Sequence, residues 1–131
     1  MTLLLPDLVR RIIGVLYHIH EEGGPSLADE DYIEAMRQEL GFRNLNFLQN
    51  ENVVLEYLGK TVGEHVVEFI VEKKILVDLK GQFLLKHPTF YKQMLSYLVK
   101  ENLPMALIVN FHSRRLELRR VLNPNYNYQL Q

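Results

Sequence analysis

Two carboxylates and a lysine stand in a stretch that is otherwise almost wholly apolar. Glu68 lies within Val66-Val67-Glu68-Phe69-Ile70-Val71, and Asp78 and Lys80 lie within Ile75-Leu76-Val77-Asp78-Leu79-Lys80. Apolar residues fill nearly every position of both runs rather than alternate ones, the pattern of strands covered on both faces. A charge in such a place is costly unless it is paired, hydrogen-bonded or bound to a metal. Two acids and a lysine are also what magnesium-dependent phosphodiester hydrolysis needs.

Whether the three groups meet depends on one turn. Glu72-Lys73-Lys74 is the polar break between the runs. A three-residue loop there sets Glu68 directly opposite Asp78, and cross-strand partners project to the same face. Lys80 follows Asp78 by two residues and shares that face. A two-residue loop would instead pair Glu68 with Leu79 and send the two acids to opposite faces. With the first parity, Glu68 and Asp78 offer hard oxygen ligands suited to magnesium or manganese. Lys80 would then orient water or stabilise charge on phosphorus. The competing reading is a Glu68–Lys80–Asp78 ion-pair cluster with no catalytic role, and residue chemistry alone leaves both open.

The rest of the chain must position that hairpin. Pro6 suits a helix first turn, and Leu8, Ile12, Val15, Leu16 and Ile19 recur at helical spacing until Gly23-Gly24-Pro25. Asp29 to Leu40 predicts a second helix with Tyr32, Ile33, Met36 and Leu40 as its apolar stripe. Strands are expected at Asn52–Leu58, Val62–Val71 and Ile75–Lys80, with Gly59-Lys60 as a hairpin turn. Pro88 opens a third helix to about Asn102, Met105–Phe111 is a strongly apolar strand, and Arg115–Leu122 alternates like an edge strand. Residues 1–122 read as one domain, and 123–131, rich in turn residues, as a loosely ordered tail. Apolar central strands need helices on both faces, and the third helix is a crossover between parallel strands. The expected class is therefore α/β, a three-layer α/β/α core with a mixed central sheet.

Composition narrows the functions. With 131 residues, 47% hydrophobic and 24% charged, the chain can build one real core. The net charge of −1 gives no global attraction to nucleic acid, so such binding must be local. The absence of cysteine excludes disulfides, cysteine-ligated zinc and thiol catalysis, and fits a cytoplasmic location. The start Met1-Thr2-Leu3-Leu4-Leu5-Pro6 lacks the basic segment of a signal peptide, and no apolar run reaches membrane-spanning length. His18, His20, His65, His87 and His112 form no metal motif.

Four segments together resemble the GxxExxY proteins, a branch of the PD-(D/E)XK nuclease superfamily. They are Ile12-Ile13-Gly14 with His20 to Leu27; Gly63-Glu64 with Glu68 and Val77-Asp78-Leu79-Lys80; Gln93-Met94-Leu95-Ser96-Tyr97-Leu98; and Leu107 to Phe111 with Arg115-Leu116-Glu117-Leu118. The resemblance covers about Leu8 to Leu122. It implies a restriction-endonuclease-like core in which Glu68 and Asp78 hold metal and Lys80 assists. It also adds Asp29 as a third metal carboxylate, where the residue's own reading is a helix N-cap or first-turn acid and Glu22, Glu30 and Asp31 are competing acids. The chain departs from the pattern in detail. The naming motif falls on Ser26, Asp29 and Tyr32, and the two strand acids are exchanged, glutamate for aspartate and aspartate for glutamate. Each exchange shifts an oxygen by about one carbon–carbon bond, and magnesium asks for near-ideal octahedral distances.

Gln93 and Tyr97, four apart on one helix face, would hold the lysine, a metal-bound water or a phosphate; as structure, Tyr97 is a core aromatic and Gln93 lies at its rim. Arg114, Arg115, Arg119 and Arg120, with Lys86, His87 and Lys92, would form a modest phosphate-binding surface, or simply charge an edge strand against aggregation. The expectation is a magnesium- or manganese-dependent nuclease acting on nucleic acid, DNA ahead of RNA, with a homodimer plausible and no membrane. The alternative is an inactive scaffold that keeps the fold.

Overall fold

The computed structural model of the protein describes residues 5–79 and 88–128. Helix α1 (Leu5–Gly23) buries Leu8, Ile12, Val15, Leu16 and Ile19, the stripe read from spacing, together with Leu5 and Val9. It ends where Gly24 takes φ +70° and its amide bonds back to the His20 carbonyl at 2.8 Å, a left-handed cap that glycine adopts without strain. Helix α2 (Asp29–Phe42) buries Tyr32, Met36 and Leu40. Ala28 at its N-cap gives no side-chain hydrogen bond, and Asp29, Glu30 and Asp31 supply negative charge to the first turn instead.

Five strands follow in chain order across one sheet: β1 (Phe47–Tyr57), β2 (Lys60–Val71), β3 (Ile75–Asp78), β4 (Met105–Asn110) and β5 (Glu117–Leu122). Helix α3 (Pro88–Glu101) lies between β3 and β4 in the chain. β3 and β4 are parallel and the other neighbours antiparallel, so the sheet is mixed as expected. β1 begins at Phe47 rather than Asn52. β5 begins at Glu117 rather than Arg115, because residues 112–115 bend away from the ladder.

The period of two sorts the sheet into two cores. Phe69, Val71, Ile75, Val77, Met105, Leu107 and Val109 pack beneath α1 and α2. Val67, Ile70, Leu76, Ala106, Ile108 and Val121 pack beneath Met94 and Leu98 of α3. The layers are thus α1 and α2, the sheet, and α3, the α/β/α arrangement predicted. β3 and β4 are buried along their whole length, which explains why they read as unbroken apolar runs.

Residues 123–128 pack back against the fold. Asn123 is buried, and its Nδ2 donates to the carbonyls of Leu98 at 3.0 Å and Leu103 at 2.9 Å. The Tyr128 hydroxyl donates to the carbonyls of Pro104 at 2.8 Å and Asn123 at 2.9 Å. Turn-rich composition shows where a chain leaves regular structure; buried amide and phenol groups that find carbonyl partners hold it in place all the same.

Candidate active site

The turn has the parity that the chemistry requires. β2 pairs with β3 through Phe69–Val77, Ile70–Leu76 and Val71–Ile75. Glu72, Lys73 and Lys74 form the loop between them, closed by the Lys74 amide on the Val71 carbonyl at 3.0 Å. Glu72 and Lys73 both take positive φ, +53° and +56°. The paired register ends at Phe69–Val77; continued by one residue, it would set Glu68 opposite Asp78. Leu76 and Ile108, the β4 partner of Asp78, lie in the core beneath α3, so Asp78 faces α3; alternation from Ile70 would carry Glu68 to the same face. Glu68 is 7% exposed and Asp78 0%. The Glu68 Oε2 atom accepts the Leu79 amide at 3.0 Å, fixing one side chain of the pair against the strand that carries the other.

Glu68 sits at an irregularity in β2. Val67 packs in the α3-side core and Phe69 in the opposite one, so the alternation slips at Glu68. On the neighbouring strand, Asn50 is the residue that the β1–β2 register sets across from Glu68, and its φ is +56°. Asparagine is among the few residues that tolerate this conformation. Distortions of this kind re-aim side chains, and they concentrate at functional sites.

The other predicted residues fall in three places. Gln93 and Tyr97 lie half-buried on α3, the helix that covers the face of the acids. Tyr97 packs against the α3-side core. Burial, reinforced by Glu101 and then Glu51, pushes its hydroxyl above the ordinary 10.0, so at neutral pH it is a protonated donor. Lys92 is exposed on the same helix, and Arg114 and Arg115 are exposed in the bend after β4. Lys80, Lys86 and His87 lie outside the described residues.

Asp29 is engaged elsewhere. It opens α2, the helix against the opposite face, and its Oδ1 lies 2.6 Å from Nε2 of His112, with its side chain 71% exposed. His112 Nδ1 lies 3.2 Å from the Pro25 carbonyl, and His20 Nε2 lies 2.8 Å from the Ser113 carbonyl. These contacts tie the α1–α2 loop to the bend after β4. Tyr32 completes the tie: its ring stacks on Phe111 with centroids 4.5 Å apart, and its hydroxyl donates to Gly24 O at 2.5 Å. Among the described residues no three histidine, aspartate or glutamate side chains gather into a group able to hold a metal.

Two buried carboxylates on neighbouring strands still suit a hard cation. Magnesium is commonly held by one or two carboxylates, with water and substrate phosphate completing its shell, rather than by an all-protein cage. A bound cation would also offset the cost of burying two carboxylates. Glu68 and Asp78 are therefore the donors that would hold it.

Three further residues make contacts that had no role in the sequence reading. Asn110, buried at the end of β4, accepts the His112 amide on its Oδ1 at 3.0 Å and turns the chain out of the sheet. Its signal was present, as the single polar residue in an apolar run. Ser113 donates to Glu117 at 2.5 Å. Tyr91 on α3 carries Arg119 over its ring, with the guanidinium carbon 5.3 Å from the centroid, a contact no spacing announces.

Comparison with curated proteins and with solved structures finds no match. The family model of the PD-(D/E)XK nuclease superfamily does match, over residues 6–121. Nucleases of that superfamily generally use divalent metal ions, and nucleic acid is the substrate the family implies. A match of this extent makes the chain a member of the PD-(D/E)XK nuclease superfamily.

Proposed function

We propose that this protein is a magnesium- or manganese-dependent nuclease of the GxxExxY type, with Glu68 and Asp78 as its metal ligands. The observation that carries the reading is the hairpin parity: a three-residue turn whose register, continued by one residue, would set two buried acids opposite each other in a fold of the nuclease superfamily. Bound there, the metal would neutralise the scissile phosphate and lower the pKa of an attacking water. Lys80, two residues past Asp78, would orient that water by hydrogen bonding, and Gln93 on the covering helix would help hold the phosphate. Asp29 would join the site only by leaving His112 and moving from the α2 side of the sheet. Tyr97, Lys86, Lys92, Arg114 and Arg115 would contact the nucleic acid backbone, with DNA ahead of RNA. A homodimer through one of the sheet edges, β1 or β5, and a cytoplasmic location extend the same reading. No helix among the described residues is long and apolar enough to cross a membrane.

A second reading is favoured by the depth of the acids. Asp78 is fully buried, and the exchanged side-chain lengths alter the reach of both carboxylates. That would suit a scaffold that keeps the superfamily fold without its chemistry.

Manganese-dependent cleavage of single- and double-stranded DNA and RNA separates the two. The purified protein is compared with Glu68→Gln, Asp78→Asn and Lys80→Ala prepared identically. Metal-dependent cleavage that vanishes in all three variants supports the nuclease. No cleavage, together with manganese binding that is unchanged in Glu68→Gln and Asp78→Asn, supports the scaffold.

A further inference from the structure

Strand register divides the arginines of β5 between the two faces of the sheet. Asp78 pairs with Ile108 on β4, and Ile108 pairs with Arg119 on β5. Partners in register project to one side, so Asp78, Ile108 and Arg119 form a row across a single face. Ile108 belongs to the core beneath α3, which identifies that face as the one carrying Asp78. Two strand spacings put the backbone of Arg119 roughly 10 Å from that of Asp78. Arg120, the next residue, pairs with Leu107 of the opposite core. It lines a cavity of about 580 Å³ with Leu5, Val9 and Leu122, on the α1 side of the sheet. Arg114 and Arg115 lie in the bend before β5. Of the four arginines in this part of the chain, the strand geometry carries one, Arg119, onto the face of Asp78.

That arginine is also held in position. Its guanidinium carbon lies 5.3 Å from the centroid of the Tyr91 ring, within cation–π range, while the residue itself is exposed. Tyr91 is half-buried and packed against the α3-side core, so the ring is a fixed support. A long side chain braced in this way loses less freedom when it meets an anion. The planar guanidinium offers parallel donors to phosphate oxygens. Two acids repel a polyanionic strand, and a cation at a set distance along the same face offsets that repulsion and fixes where the strand lies.

We propose that Arg119, braced on Tyr91, binds a backbone phosphate of the nucleic acid strand that crosses the Glu68–Asp78 face. The proposal rests on the nuclease reading and adds to it a strand-positioning residue on β5. It gives Arg120 no part in that contact.

The test is fluorescence anisotropy with short labelled single- and double-stranded DNA and RNA oligonucleotides, over a range of salt concentrations, with calcium in place of magnesium. Arg119→Ala is expected to weaken binding about tenfold and to reduce the slope of log affinity against log salt by about one, the loss of one phosphate contact. Arg119→Lys should keep the slope with weaker binding, and Tyr91→Leu should weaken binding. Arg120→Ala should match the unsubstituted protein. Equal salt slopes for the unsubstituted protein and Arg119→Ala, or a larger loss in Arg120→Ala, would overturn the proposal while leaving the nuclease reading intact. Failure of the unsubstituted protein to bind any of these oligonucleotides would overturn both.

Discussion

Glu68 and Leu79, eleven positions apart, meet across the β2–β3 hairpin, where the Glu68 Oε2 atom accepts the Leu79 amide at 3.0 Å. The carboxylate is thereby anchored to the strand that ends in Asp78. Glu68→Ala would leave that part-buried amide without its acceptor, at a cost of about 1–3 kcal/mol. Glu68→Gln keeps a carbonyl oxygen in reach and should cost less. Urea unfolding of the two variants gives the comparison. An Ala variant as stable as the Gln variant would show that the contact adds nothing to stability. Both variants should lose metal-dependent cleavage, because a neutral amide replaces the charge as effectively as deletion does.

The turn that sets the parity carries strain at Lys73, a non-glycine residue at φ +56°. Lys73→Gly relieves the left-handed penalty and adds unfolded-state entropy, two effects of opposite sign and similar size. The expected result is a gain of about 0–1 kcal/mol with no loss of cleavage, read from thermal melts and the nuclease assay. Glu72 is a poor target for the same change, since its Oε2 accepts the Asn46 amide at 2.5 Å and secures the start of β1.

Asn123 shows how far the C-terminal segment contributes to the fold. Its side chain donates to Leu98 O and Leu103 O and accepts the Asn125 amide at 2.9 Å. Asn123→Ala removes all three bonds from a buried position and should destabilise the domain by about 2–4 kcal/mol. Truncation after Leu122 should do at least as much. A truncated chain with an unchanged unfolding midpoint would contradict this account.

His112 couples the bend after β4 to the α1–α2 loop in a pH-dependent way. Its hydrogen bond to Asp29 raises its pKa above the ordinary 6.5, against a smaller lowering by burial. A raised pKa in the folded state means that the ion pair stabilises fully below pH about 6.5 and fades as pH climbs through the raised value. With both side chains largely in solvent the effect on stability is small. NMR titration should therefore place His112 above 6.5, and Asp29→Asn should bring it back down. A His112 titration unmoved by that substitution would mean that the pair does not form in solution.

The layers, the crossover helix and both helix stripes were legible in the sequence because they rest on local periodicity. Leu8, Ile12, Val15, Leu16 and Ile19 repeat at helical spacing wherever the helix packs, and β3 and β4 are apolar throughout because helices cover both their faces. The two acids were legible for the opposite reason: charge in such runs breaks the pattern. Sequence could state the condition for their meeting, a three-residue turn, but the turn itself follows from the left-handed backbone at Glu72 and Lys73 and from how β2 lies on β3. Asp29 and His112, 83 positions apart, meet only after the sheet has formed. The same holds for Arg119 on Tyr91, and for the division of Arg119 from Arg120 between two faces. Those contacts depend on register between distant strands, and a register shift of one residue would exchange every side chain from one face to the other.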